Sequence, residues 1–150
     1  MRGGTFKPRT KPYSFQGLGI DGLSILEKAR KKYNVIVSTE VMSTEMVDVV
    51  SRNVDILQIG SRNMQNFDLL KRVGKTNLPV IVDPSHGTGR RDMILPMAKA
   101  AMAIGADGIM IEIHPNLGEA LSDGDQSINF EGFTNLIGEV QKLKKAFYYC

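Results

Sequence analysis

Three side chains in the second half of the sequence, His86, Glu112 and Asp123, offer one imidazole nitrogen and two carboxylates. That donor set suits a divalent ion such as manganese, iron, cobalt or zinc. Four cations, Arg2, Lys7, Arg9 and Arg62, offer the guanidinium forks and the ammonium charge that hold phosphate groups. An ordinary role is open to each: His86 bonded within a turn, Glu112 facing solvent, Asp123 closing an Asx turn, the cations solvated. Their settings favour chemistry. Glu112 interrupts the apolar run Gly108-Ile109-Met110-Ile111-Glu112-Ile113, where an unpartnered carboxylate is costly. His86 follows the apolar run Val80-Ile81-Val82 through Asp83-Pro84-Ser85 and precedes a glycine-rich, doubly basic turn ending in Arg90 and Arg91. A buried strand thus carries a histidine to one edge, and glycines there let backbone and ligand approach closely.

The elements that must position these groups follow from periodicity. Leu23, Ile25, Leu26 and Ala29, followed by Arg30, Lys31 and Lys32, predict an amphipathic helix over 20–33 with cations at its C-terminus. Val35 to Glu40 reads as a buried strand ending in polar residues, Thr44 to Ser51 as a short helix, Ile56 to Gly60 as a second strand, and the stretch after Asn66 as a helix through about Val73. Val80 to Asp83 is the third strand, 93–104 a helix with its methionines as core filling, Gly108 to Pro115 the fourth strand, 116–129 a polar loop, and 131–145 a last helix with Phe133, Leu136, Ile137, Val140 and Leu143 on one face. Strand then helix, repeated four times, predicts parallel strands with right-handed crossovers. Glu40, Gln58 with Arg62, His86, and Glu112 with His114 all sit where strands end, the edge at which such sheets do chemistry. Residues 1–19 are basic loop chemistry, with Lys7 and Arg9 flanking Pro8; Phe6, Tyr13 and Phe15 argue against a floppy tail.

Bulk properties narrow the class. The length, 150 residues, bounds one domain over 1–150 with enough apolar content for a core, but too little for an ordinary (β/α)8 barrel. Nineteen Lys and Arg against 16 Asp and Glu leave a net charge of +3 spread along the chain. That suits anionic small substrates and argues against a nucleic-acid footprint, which needs a dense basic stripe. The single cysteine, Cys150, excludes an internal disulfide and points to the cytoplasm. No apolar run approaches a membrane span, and no signal peptide is expected.

Taken together, Arg2-Gly3-Gly4-Thr5-Phe6-Lys7-Pro8-Arg9-Thr10, Gln58 to Asn66, Asp83-Pro84-Ser85-His86 with Gly89-Arg90-Arg91, Glu112 to Pro115, and Ala120 to Gly124 resemble the 3-deoxy-D-arabino-heptulosonate 7-phosphate (DAHP) synthase family, in its compact bacterial and archaeal form. The resemblance covers nearly the whole chain, and Lys-Pro-Arg-Thr and Asp-Pro-Ser-His set it apart from the neighbouring octulosonate phosphate synthases. It implies a transferase that condenses phosphoenolpyruvate with erythrose 4-phosphate on a divalent metal, the entry to the shikimate pathway and aromatic amino acids, in an aldolase-like TIM barrel. It implies further that His86, Glu112 and Asp123 are metal ligands, that Lys7, Pro8, Arg9 and Thr10 form the erythrose 4-phosphate loop, that Arg2 and Arg62 contact phosphoenolpyruvate, and that Glu40 belongs to the substrate site. His86 and Lys7 are the expected catalytic groups, Lys7 as proton donor to the forming alkoxide or as a fixed charge.

Departures from the family pattern carry expectations too. The strand bearing a Gly-Pro-Cys metal ligand is not among these residues, and Cys150 is no replacement. Between Gly74 and Pro79 the chain passes from what resembles the fourth barrel strand to what resembles the seventh, without the Lys-Arg-Gly and Glu-Arg-Gly motifs that contact phosphoenolpyruvate. About five strands are expected, counting residues 2–7, an incomplete barrel that cannot close at the usual shear. Open strand edges predict a homo-oligomer. The alternative function is a phosphate- or metal-binding remnant without turnover.

Overall fold

Strand and helix alternate as the periodicity predicts, in an α/β fold whose strand pairs are parallel. The computed structural model describes residues 1–9, 11 and 13–148, with Tyr148 described as backbone only. Thr10 and Cys150, both part of the expectations above, lie outside these residues. The chain divides into two compact units, one of Met1–Ile59 with Asn63–Val80, the other of Gly60–Arg62 with the residues from Ile81 onward.

In the first unit α1 (Gly19–Tyr33) has Asp21 in its first turn and Arg30, Lys31 and Lys32 in its last, charges that complement the helix dipole. Asn34 ends it in the left-handed conformation, φ 50°. Strands β1 (Ser38–Glu40) and β2 (Ile56–Gly60) pair in parallel register, Thr39 opposite Leu57 and Glu40 opposite Gln58. Strand β1 is shorter than the apolar run predicts. The Asp55 carboxylate takes the Val37 amide at 2.9 Å, while the Val37 carbonyl accepts from Asp55 and Ile56, so the run's first half is spent on this turn and Ile36 is left exposed. Arg30 reaches the same Asp55 at 2.7 Å, tying the end of α1 to it. Residues 2–7, expected as a fifth strand, contribute a single parallel bridge, Arg2 to Ser38. Helices α2 (Val47–Asn53) and α3 (Phe67–Gly74) bury Val47, Val50, Leu69 and Val73, with Leu23 and Leu26 of α1 also in this unit's core. Asn66 caps α3 by accepting from the Leu69 amide.

The second unit is built on β3 (Val80–Asp83) and β4 (Gly108–Ile109), paired Ile81 to Gly108 and Val82 to Ile109. The expected strand through Pro115 stops early because its later backbone groups find other partners. Glu112 donates its amide to Ser85 Oγ, and Ile113 bridges Ile128 of the following loop. Helices α4 (Ile94–Ala103) and α5 (Phe130–Tyr148) enclose a core of Ile94, Ala98, Ile128 and Leu136, with Phe133, Ile137 and Val140 packed around it. No described helix is long and apolar enough to cross a membrane.

Candidate functional site

In the first unit a basic strap is fixed on two strand ends. Thr39, fully buried in β1, donates its hydroxyl to the Gly3 carbonyl at 2.5 Å. Its one proton is committed there, so it accepts from the Thr5 hydroxyl at 3.0 Å and from the Thr5 amide. From Thr5 the strap runs outward through Lys7-Pro8-Arg9 and returns: the Lys7 amide donates to the Gln16 carbonyl at 2.8 Å, and Gly19 donates to Thr5 at 2.8 Å. Gly17 closes it at φ 96°, where a Cβ would stand 2.2 Å from the Thr5 carbonyl oxygen, so no other residue fits. Lys7 folds back over Gly4, whose missing Cβ leaves room for its ammonium. Arg9 donates Nε to the Phe15 carbonyl at 3.1 Å and is otherwise exposed. Of the three aromatics expected to anchor the strap only Phe6 is half-buried; Tyr13 and Phe15 are exposed, and the backbone bonds hold the loop instead.

Arg2 lies beside the strap and donates Nε to Gln58 Oε1 at 2.7 Å. Gln58 is fully buried, and its register neighbour Glu40 is 6% exposed. Arg2, Lys7, Pro8, Arg9 and Glu40 all belong to this unit. An apolar groove between the strap and α1, lined by Gly3, Phe15, Leu18, Ile25 and Leu26, carries no titratable group.

The second unit holds Arg62, His86, Glu112 and Asp123. Asp83, 3% exposed at the end of β3, accepts from the amides of Ser85 and His86 and from His86 Nδ1 at 2.6 Å. One carboxylate thereby sets both the turn and the ring, leaving Nε2 directed at Glu112 Oε1, 3.5 Å away. The hydrogen bond to Asp83 raises the His86 pKa above its ordinary value; partial burial opposes this, and the charges of Asp83, Glu112 and Asp123 add to it. Gly87 packs against Ser61, whose Cβ would lie 2.2 Å from a Cβ at position 87. Arg62, next to Ser61, is exposed.

Asp123 sits on the loop before α5 in the left-handed conformation, φ 57°. Its Oδ1 is taken by Gln126 Nε2 at 2.6 Å, and its carbonyl by Ser127 Oγ at 2.8 Å. Arg91 holds this loop, donating to the carbonyls of Ser127 and Gly124 at 2.7 Å each. Of the two arginines that end the basic turn after His86, Arg90 pairs with Asp92 and Arg91 is a strut.

Divalent-ion chemistry asks for three converging donors here, and two converge, His86 Nε2 and Glu112. Among the described residues no three His, Cys, Asp or Glu side chains are grouped to hold a metal. As arranged, the donor set does not fit a divalent ion.

Asp83, Ser85, Thr39, Thr5 and Arg91 are the positioning groups that sequence reasoning left unassigned. Asp83 had a usable signal, since Asp-x-x-His places a carboxylate three residues before an imidazole in a turn.

The DAHP synthetase I family model matches residues 1–82 and again 75–147. A phospho-2-dehydro-3-deoxyheptonate aldolase of Thermotoga maritima is 36% identical over 208 aligned residues, covering 97% of this chain and 62% of that protein. A 2-dehydro-3-deoxyphosphooctonate aldolase of Francisella tularensis subsp. holarctica is 27% identical, covering 92% of this chain and 77% of that one. The crystal structure of the Thermotoga maritima DAHP synthase superposes with a TM-score of 0.50 at 35% identity, over 97% of this chain and 60% of that one. The chain therefore spans about three fifths of the length of the Thermotoga protein.

Proposed function

Because this chain belongs to the DAHP synthetase I family, we propose that it binds phosphoenolpyruvate and erythrose 4-phosphate and that its reaction is their aldol-type condensation. The locked strap carries this reading: Thr39, Thr5 and Gly17 fix a short loop that carries Lys7, Pro8 and Arg9, with Arg2 beside it. Fixed cations on a strand end bind phosphate without first ordering a loop, which is where flexible sites lose affinity. Lys7, Pro8, Arg9 and Thr10 take the aldose phosphate, and Arg2 takes the enol phosphate, with Glu40 in the same unit. In the condensation the enol carbon attacks the aldehyde carbon, water adds at the cation left behind, and phosphate departs. Lys7 is the cation that gives a proton to the new alkoxide or stabilises its charge. His86, its Nδ1 donating to Asp83, directs Nε2 at Glu112.

A second reading, anion binding without turnover, is favoured by one observation: Asp123 is bonded to Gln126 and stands apart from the His86–Glu112 pair as a ligand. Phosphate release from the two substrates, assayed with manganese present, separates the readings. Release abolished by His86→Ala is the expected result; calorimetric binding of phosphoenolpyruvate with no release in any condition establishes the second reading.

A further inference from the structure

Gly3 and Gly4 are adjacent, and the fold needs each for a different reason. A Cβ on Gly3 would enter α1, 2.6 Å from Leu26 Cδ2, so that glycine serves the packing of the first unit's core. Gly4 lies outside the left-handed region, and an alanine takes its backbone conformation without strain. The three atoms nearest to a Cβ on Gly4 all belong to Lys7: Cε and Nζ at 2.3 Å each, and Cδ at 3.2 Å. Carbon atoms in ordinary contact stand about 3.5–4 Å apart, so a Cβ there would drive the end of Lys7 back by more than about 1 Å. The backbone of Lys7 is poorly placed to absorb that shift. Its amide is bonded to the Gln16 carbonyl at 2.8 Å, and Pro8 after it disfavours the helical region for Lys7. Lys7 is half-buried, and its ammonium makes no hydrogen bond or ion pair with any described residue. Shape alone seats it.

We propose that Gly4 is a positioning residue for Lys7: the space that its missing side chain leaves is the seat of the Lys7 ammonium, and it fixes how close that charge stands to the backbone of the strap. The inference rests on the reading of Lys7 as the cation at the new alkoxide, and it gives Gly4 a task that folding does not require. Giving a proton and stabilising a charge both depend on placement, and a misplacement of about 1 Å can cost on the order of 100-fold in rate. Gly4 therefore contributes to rate and hardly to stability, whereas Gly3 contributes to stability.

Four full-length chains make the test: the native one, Gly4→Ala, Lys7→Ala and the double variant. Thermal melts establish folding. Phosphate release from phosphoenolpyruvate and erythrose 4-phosphate, with manganese present, is the first readout, and calorimetric binding of erythrose 4-phosphate is the second. Gly4→Ala is expected to melt with the native chain and to lose at least about tenfold in release, or in erythrose 4-phosphate affinity where there is no release. In the Lys7→Ala background the same substitution is expected to change neither readout by more than about twofold, because the side chain it displaces is gone. A glycine with a merely structural role would cost the same in both backgrounds, as Gly3→Ala is expected to do. That result overturns the inference, as does a Gly4→Ala chain that matches the native one while Lys7→Ala is impaired. Should Gly4→Ala not fold, the double variant decides: folding restored with Lys7 cut back assigns the space to Lys7, and a double variant that also fails to fold assigns the glycine to the backbone and overturns the inference. If Lys7→Ala releases phosphate and binds as well as the native chain, or the native chain does neither, the reading of Lys7 and this inference fall together.

Discussion

At the scale of single residues, the second unit turns on Asp83. Its carboxylate receives two backbone amides and the His86 ring at once, so the tautomer and the aim of the imidazole are decided before any ligand arrives. With the folded pKa of His86 raised above the unfolded one, the stability from this pair is fully present below the unfolded value near 6.5 and is lost as pH rises through the folded value. Asp83→Asn removes the charge and reverses that shift. Only two histidines contribute imidazole signals, so a proton NMR titration reads the effect directly: the His86 midpoint falls in Asp83→Asn. An unmoved His86 midpoint refutes the role given to Asp83. The signal for this pair, Asp and His three apart at a strand end, lies in the sequence, although sequence reasoning left Asp83 unassigned. No such signal hinted that Asp123 would turn to Gln126, because loop conformation depends on carbonyls that Arg91 gathers from 33 and 36 residues away.

Among the elements, α4 and α5 are joined by more than their apolar faces. Glu139 of α5 accepts from Lys99 of α4 and, at 2.7 Å, from Lys142 one turn on. The two ammonium groups hold its carboxyl down to about 2, the Lys142 hydrogen bond contributing most. A depressed carboxylate contributes stability above its unfolded value near 4.5 and loses it as pH falls toward 2. Glu139→Gln is therefore expected to lower the melting temperature at pH 7 and to match the native chain near pH 2; a gap that persists in acid assigns the effect to packing. Beneath this pair, Leu136 is 2% exposed in the core, and Leu136→Ala is expected to cost about 2–5 kcal/mol in denaturant unfolding. Helices were the most legible elements, since α1 and α5 follow their 3.6-residue period almost to the residue. Strands β1 and β4 were over-read. An apolar run states burial, whereas a ladder also needs free backbone partners, and Asp55 and Ser85 had claimed those.

For the molecule as a whole, the comparison with the Thermotoga protein places part of the missing length inside the chain. About 60 of the 208 aligned positions have no counterpart among the 150 residues here, and the two stretches matched by the family model overlap at 75–82, on the approach to β3. The expected passage between Gly74 and Pro79 falls in this overlap. It was legible because the motifs on either side are specific enough to be placed separately. Strands that have lost neighbours expose unpaired backbone, and self-association is the usual remedy. Light scattering on the purified chain is expected to give a dimer or larger; a monomer at all concentrations excludes a shared barrel.

The tripeptide Gly60–Arg62 belongs to the second unit although the first unit's sequence flanks it on both sides. Ser61 is the shelf against which Gly87 packs, directly behind His86. A fragment beginning at Ile81 would carry His86, Glu112, Asp123 and both helices of its core, yet lack that shelf. The second unit is thus not a separable module: no single cut in the chain yields it whole, and a graft of it into another scaffold must bring along a three-residue piece from elsewhere in the sequence.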